Sequence, residues 1–208
     1  MTILQEGDGA MAGVPVTDRG AWMQMPEGRI FYPLDPQPED VFIEDIALGL
    51  SRCIRYNGLS DEWIAVAQHS VQCEYLAKRD GHTASTRLVV LMHDAPEYIV
   101  GDMIRPIKCQ MPDFKRVENK IEAVIWEALG LPEMNAALHE TIKYYDNLAW
   151  AWEKRDLFKS AREWPYTPEL PRDLPRMVTW SHEYSRKRFM TRYWHLACAV
   201  SNQEWKIR

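Results

Sequence analysis

The chain has 208 residues, 46% of them hydrophobic and 26% charged, which suits one folded domain with a sizeable core and excludes global disorder. Its net charge of −5 argues against a broad basic surface for duplex nucleic acid, so any anionic ligand must be met by a local cluster of cations or a metal. Cys53, Cys73, Cys109 and Cys198 form no CxxC pair, which speaks against a thiolate zinc site or a disulfide framework. No run approaches about 18 apolar residues and the N-terminus has no cationic stretch before an apolar one, so a reducing cytoplasm, with no membrane partner, is the expected setting.

In chain order, residues 1–20 are glycine-rich and read as a loose tail. "AWMQMPEGRIFYPL" reads as a short β-hairpin turning at Pro26, Glu27 and Gly28. Helical spacing then takes over. Ile43, Ile46, Ala47, Leu50 and Ile54 share one face of a helix that runs to about "RYNG". Trp63 to Arg79 reads as a second helix. Ala84 to His93 is a third, apolar on most sides and so expected at the centre, with Pro96 breaking or restarting it. Asp113 is a candidate N-cap for a fourth helix with Phe114, Val117, Ile121, Val124, Ile125, Ala128 and Leu129 on its apolar face and Gly130 just past its end. Pro132 to about Lys159 holds one or two more helices, "EWPYTPELPRDLP" is a loop, and Thr179 to about Asn202 is the last helix. The expectation is a single all-α domain with a small β appendage.

Some polar groups stand among apolar neighbours in these helices. His69 lies in "WIAVAQHSVQC", His93 and Asp94 end the third helix, and Asp146 lies in "TIKYYDNLAWAW". Buried charge costs several kcal/mol unless paired or bound to a metal. A single buried histidine is an ordinary hydrogen-bonded core residue, and a lone His-Asp pair says little. The ordered set, all on helices with apolar flanks, points to one convergent mixed N/O ligand set for Mn, Fe, Co, Zn or Mg. Adjacent His and Asp point about 100° apart on a helix, so they can share an ion only over a helix end. His82, His139, His182 and His195 lack this context.

"VAQHSV", "LMHDAPEYIVGDMIRPIK" and "YYDNLA" resemble the HD-domain metal-dependent phosphohydrolases, closest to the bacterial 5′-deoxynucleotidases and the phage enzymes that strip phosphates from dATP. The resemblance covers about Ile43 to Trp152 and implies the HD helical fold, with His69, His93, Asp94 and Asp146 binding one divalent metal. It implies that Glu97, one turn beyond His93, takes a proton from the attacking water or orients it; the alternative is a helix N-terminal residue serving backbone N–H groups. Asp102, after Gly101, resembles the residue that hydrogen-bonds the sugar hydroxyl, or else is a turn acceptor. The family places basic residues at the equivalents of Arg55, Lys108 and Lys143 to hold phosphate. Arg52 competes with Arg55 for that place, and Tyr56 is either a base or deoxyribose contact or a core residue. The expected activity is hydrolysis of (deoxy)nucleoside 5′-phosphates to the nucleoside, with release of triphosphate from a dNTP such as dATP as the alternative. A helical module with a purely structural metal is the non-enzymatic rival. The sequence is compatible with a homo-oligomer.

Overall fold

The structure, a computed structural model, describes residues 16–160, 162–164 and 167–207. It is mostly helical, with very short strands confined to the N-terminal side. Strand β1 (Val16–Thr17) pairs antiparallel with β2 (Gly20–Ala21), and β3 (Met23–Gln24) with β4 (Ile30–Phe31), Met23 facing Phe31. The second hairpin is the one the sequence predicts, closed by a single 3-10 turn at Pro26–Gly28. The first falls partly on the expected loose tail; residues 1–15 of that tail lie outside the described residues.

Among the described residues the helices are α1 (Ile43–Arg52), α2 (Val66–Arg79), α3 (Ala84–Met92), α4 (Glu97–Val100), α5 (Arg105–Lys108), α6 (Pro112–Ala128), α7 (Ala136–Leu157) and α8 (His182–Ile207). As expected, α3 is central: every residue from Leu88 to Met92 is buried, and the helix packs against α2, α7 and α8. One apolar cluster joins Ile46 and Leu50 of α1 to Val71, Leu91, Ile121, Ile125 and Phe189, while a second joins Leu76 and Val90 to Tyr145, Leu148 and Trp152 of α7. Helix α2 is buried nearly all round, so its polar side chains must be satisfied inside the protein. Glu74 accepts from Arg87 of α3 and Arg192 of α8. Gln68 donates to the Val178 carbonyl and accepts from the Trp180 N–H, and Ser181 Oγ accepts from the Tyr184 N–H where α8 starts, at His182 rather than Thr179.

Other boundaries shift for local reasons. Ile54 is not on α1; it pairs with Ala65 as an antiparallel bridge, which shortens α1 and delays α2 to Val66. Asp113 does not cap α6. Met111 takes that place because Pro112, with its preset φ, occupies the first helical position. Gly130 does end that helix, at φ +57°. The four cysteines are free, and no helix among the described residues is long and apolar enough to cross a membrane.

Helix α1 meets α4 at Gly49, where a Cβ would stand 2.7 Å from the Tyr98 Cβ and 3.1 Å from its backbone. Gly49→Ala would gain about 1 kcal/mol of helix propensity. Pushing α4 away should cost more, about 1–3 kcal/mol on top of that gain. The expected net result is a lower unfolding midpoint and a displaced Glu97; an unchanged midpoint in urea titration would show that the two helices separate freely.

Candidate active site

Helix α3 stops at Met92, and His93 to Pro96 form turns closed by Ala95 N–H donating to the Met92 carbonyl and Glu97 N–H donating to the Asp94 carbonyl. This takes His93 and Asp94 off the helix end, where adjacent side chains can face one point. Asp94 Oδ2 lies 3.1 Å from His93 Nε2 and 3.6 Å from His69 Nε2, and His69 Nε2 lies 3.2 Å from Asp146 Oδ1. Ligands sharing one ion at about 2.1 Å stand about 3.0–3.4 Å apart in octahedral or tetrahedral geometry. Two of these three contacts fall within that spacing and the third lies just beyond it.

Both imidazoles are oriented for ligation. His93 Nδ1 donates to the Val90 carbonyl at 2.8 Å, and His69 Nδ1 donates to Glu153 Oε1 at 2.6 Å. Each bond leaves Nε2 as the atom facing the cluster, the arrangement that carboxylate and carbonyl partners impose on metal-binding histidines. His93 Nε2 is buried and faces Asp94 Oδ2 at 3.1 Å without a well-formed hydrogen bond, a polar atom that an ion would satisfy. Cys73 Sγ, 3.4 Å from His69 Nε2, adds a sulfur, and His69, Cys73 and His93 together could hold a metal. Burial opposes charge on His93, yet Asp94 and Asp146 raise its pKa; burial likewise opposes ionisation of Asp94, but the imidazoles hold its pKa down at about 2. A divalent cation would take the place of the protons these carboxylates attract.

The cluster opens onto a cavity of about 270 Å³ lined by Arg55, Tyr56, Asp102, Lys108, Trp150 and Trp164. Glu97 lines it and is buried, and its Oε2 has no partner. Burial first, then Asp94 and Asp102, push the Glu97 pKa well above the usual carboxylate range. Arg55 is buried; its Nε donates to Glu153 at 3.1 Å, and its Nη1 lies 3.7 Å from Asp94. Lys108 Nζ is 2.6 Å from Glu118 and 4.0 Å from Glu97.

No family model matches the chain. Over 145 residues, 69% of this chain and 77% of the relative, it is 37% identical to the uncharacterized protein YfdR of Escherichia coli (strain K12). The chain belongs to the YfdR family. The uncharacterized protein RCAP_rcc00048 of Rhodobacter capsulatus is 38% identical over 135 residues, which cover 62% of this chain and 69% of that protein.

In this YfdR-family protein, His69, His93, Asp94 and Asp146 are brought together, and Arg55, Tyr56, Glu97, Asp102 and Lys108 line the same cavity. Arg52 and Lys143 do not reach it. Arg52 is exposed on the last turn of α1, facing the start of α8, whereas Arg55 lies in the following loop that turns inward. Lys143 is exposed and is not among the cavity-lining residues, although it precedes Asp146 by one turn on the same helix. Arg105 stands where Lys143 was expected, its Nη2 donating to Asp146 Oδ2 at 2.8 Å. Tyr56 has φ +57°, strained for an aromatic residue, and its hydroxyl donates to Glu153.

Glu153 is the main residue that the sequence reading passes over. It is fully buried and joins His69, Arg55 and Tyr56. Its signal was the i+7 spacing from Asp146, which puts both carboxylates on one face of α7. Glu153→Gln should leave Arg55 buried against a neutral partner, at a cost of about 3–5 kcal/mol in stability. Metal affinity should also fall about 10–100-fold, measured by chelator competition, because the His69 ring loses its carboxylate partner. Unchanged affinity would separate Glu153 from the metal ligands.

Proposed function

We propose that this protein is a divalent-metal-dependent phosphohydrolase of the HD superfamily, with the HD helical fold, that converts (deoxy)nucleoside 5′-phosphates to nucleosides. The observation that carries the reading is the joining of two features in one cavity. His69, His93, Asp94 and Asp146 meet through contacts of 3.1–3.6 Å, and the carboxylate oxygen of Glu97 that has no hydrogen-bond partner lines the cavity they open onto. A structural metal has no use for that carboxylate.

When bound, a divalent cation would polarise a phosphoryl oxygen and acidify the attacking water. The chain's own groups do the rest. Arg55 and Lys108, with Arg105 at the outer side, face the anionic group and neutralise charge that grows on its oxygens. Glu97 accepts the water's proton; burial, with Asp94 and Asp102 beside it, raises its pKa and so makes it a stronger base than an ordinary carboxylate. Asp102 lines the cavity where it can accept from a sugar hydroxyl.

A monophosphate fits better than a triphosphate. The cavity is about 270 Å³, and each lining cation is already committed to a carboxylate: Arg55 to Glu153, Arg105 to Asp146 and Lys108 to Glu118. Few positive charges remain for a longer polyphosphate. Lys108→Ala should therefore lower kcat/KM on dAMP about 5- to 150-fold, the worth of a charged hydrogen bond of about 1–3 kcal/mol. Lys143→Ala should lower it far less, and equal losses would return Lys143 to the phosphate site. The reading is tested by incubating metal-loaded protein with a panel of (d)NMPs and (d)NTPs and separating the products. Nucleoside and inorganic phosphate from monophosphates are expected. Triphosphate release from a dNTP would favour the triphosphohydrolase, and no release from any substrate would sink both.

A further inference from the structure

Two large aromatic side chains wall the cavity without serving either apolar core. Trp150 and Trp164 line it, yet neither belongs to the two core clusters or to the partly buried side chains packed against them. Both are half-buried. Their rings stack on each other with centroids 4.5 Å apart and planes 29° apart. Trp164 comes from the segment between α7 and α8, which has no helix or strand among its described residues. It is held by side-chain contacts: Phe158 at 5.1 Å edge-on, Tyr56 at 6.2 Å, and the Lys154 ammonium 5.6 Å from its ring centre. The Arg105 guanidinium lies 5.3 Å from the Trp150 ring centre while it pairs with Asp146. The cavity thus carries an aromatic wall together with ionic groups. That combination matches a molecule that carries both a flat ring and a phosphate.

We propose that the Trp150–Trp164 pair is the nucleobase subsite of this cavity, and that Trp164 sets the preference for nucleotides over base-free phosphomonoesters. This rests on the phosphohydrolase reading above and adds the group recognised beside the phosphate. Stacking on an indole is open to every base, so the subsite selects for a base and discriminates weakly among bases, favouring the larger purine surface.

The test compares dAMP with deoxyribose 5-phosphate in wild type, Trp164→Ala and Trp164→Phe. Wild type should favour dAMP. Trp164→Ala should lose about 5- to 150-fold more kcat/KM on dAMP than on deoxyribose 5-phosphate, through KM rather than kcat, the range expected for one base–aromatic stack. Trp164→Phe should recover most of that loss, since it keeps a ring. Equal losses on the two substrates, or no loss on dAMP, would overturn the subsite. Failure of wild type to release phosphate from either substrate would instead defeat the phosphohydrolase reading. In that event calorimetric binding of dAMP decides the subsite separately: weaker binding by Trp164→Ala supports it, and absent or unaltered binding rejects it.

Discussion

Asp94→Ala should abolish hydrolysis and leave the protein unable to hold a stoichiometric divalent ion. One oxygen, Asp94 Oδ2, lies within 3.6 Å of both His93 Nε2 and His69 Nε2 and within 3.7 Å of Arg55 Nη1. Removing it takes away the group that joins the two imidazoles. It also strips Arg55 of one carboxylate neighbour, leaving Glu153 as its close partner. The rate loss should exceed that of any acid–base variant, because both the substrate-polarising ion and its water go at once. Metal content by mass spectrometry and phosphate release from dAMP should fall together. Retention of a full metal complement would move the site away from this cluster.

Glu97→Gln should behave differently. The side chain keeps its shape and stays in its buried place on the first turn of α4. Metal content should be retained while kcat falls about 10²–10⁴-fold, the usual worth of a positioned acid–base group. The pH profile supplies an independent sign. Burial together with Asp94 and Asp102 raises the Glu97 pKa, so the carboxylate form that can accept a proton is depleted as pH falls through that raised value. Wild-type activity should therefore drop on the acid side, and that limb should be missing from the residual activity of the variant. Loss of metal in Glu97→Gln would make Glu97 a ligand instead of a base.

What the sequence displays and what it hides follow from the range of the interactions involved. Periodicity exposes α1, α3, α6 and α7 because each turns one apolar stripe, or in α3 nearly its whole circumference, to the core. His69, His93, Asp94 and Asp146 stand out because polar groups within apolar helical runs need a partner, and the spatial meeting of the four agrees with that need. Glu153 is less visible. It lies between Trp152 and Lys154 in a stretch that reads as an ordinary amphipathic turn, and only its contacts with His69 and Arg55 give it meaning. Cys73 sits one turn after His69 but carries no charge to draw attention.

The cations are hard to place from sequence for a related reason. Spacing along a helix gives an angle, not a distance to a cavity, so Lys143 on the right face of α7 still ends in solvent. Arg105 is delivered to Asp146 by the chain after Gly101, whose course no periodicity describes. Arg52 and Arg55 could not be separated until α1 was seen to stop between them. The same limit hid Trp164, which a segment without regular structure lays against Trp150.

The most direct measurement is phosphate release from dAMP by one protein sample taken through removal and return of the ion. Exhaustive chelation should remove about one divalent ion per chain and all activity while the circular dichroism of the helices persists, and re-addition of Mn, Co or Zn should restore turnover in proportion to occupancy. A folded protein that still hydrolyses dAMP after its metal content has fallen to zero would contradict the assignment of His69, His93, Asp94 and Asp146 as the centre of the reaction.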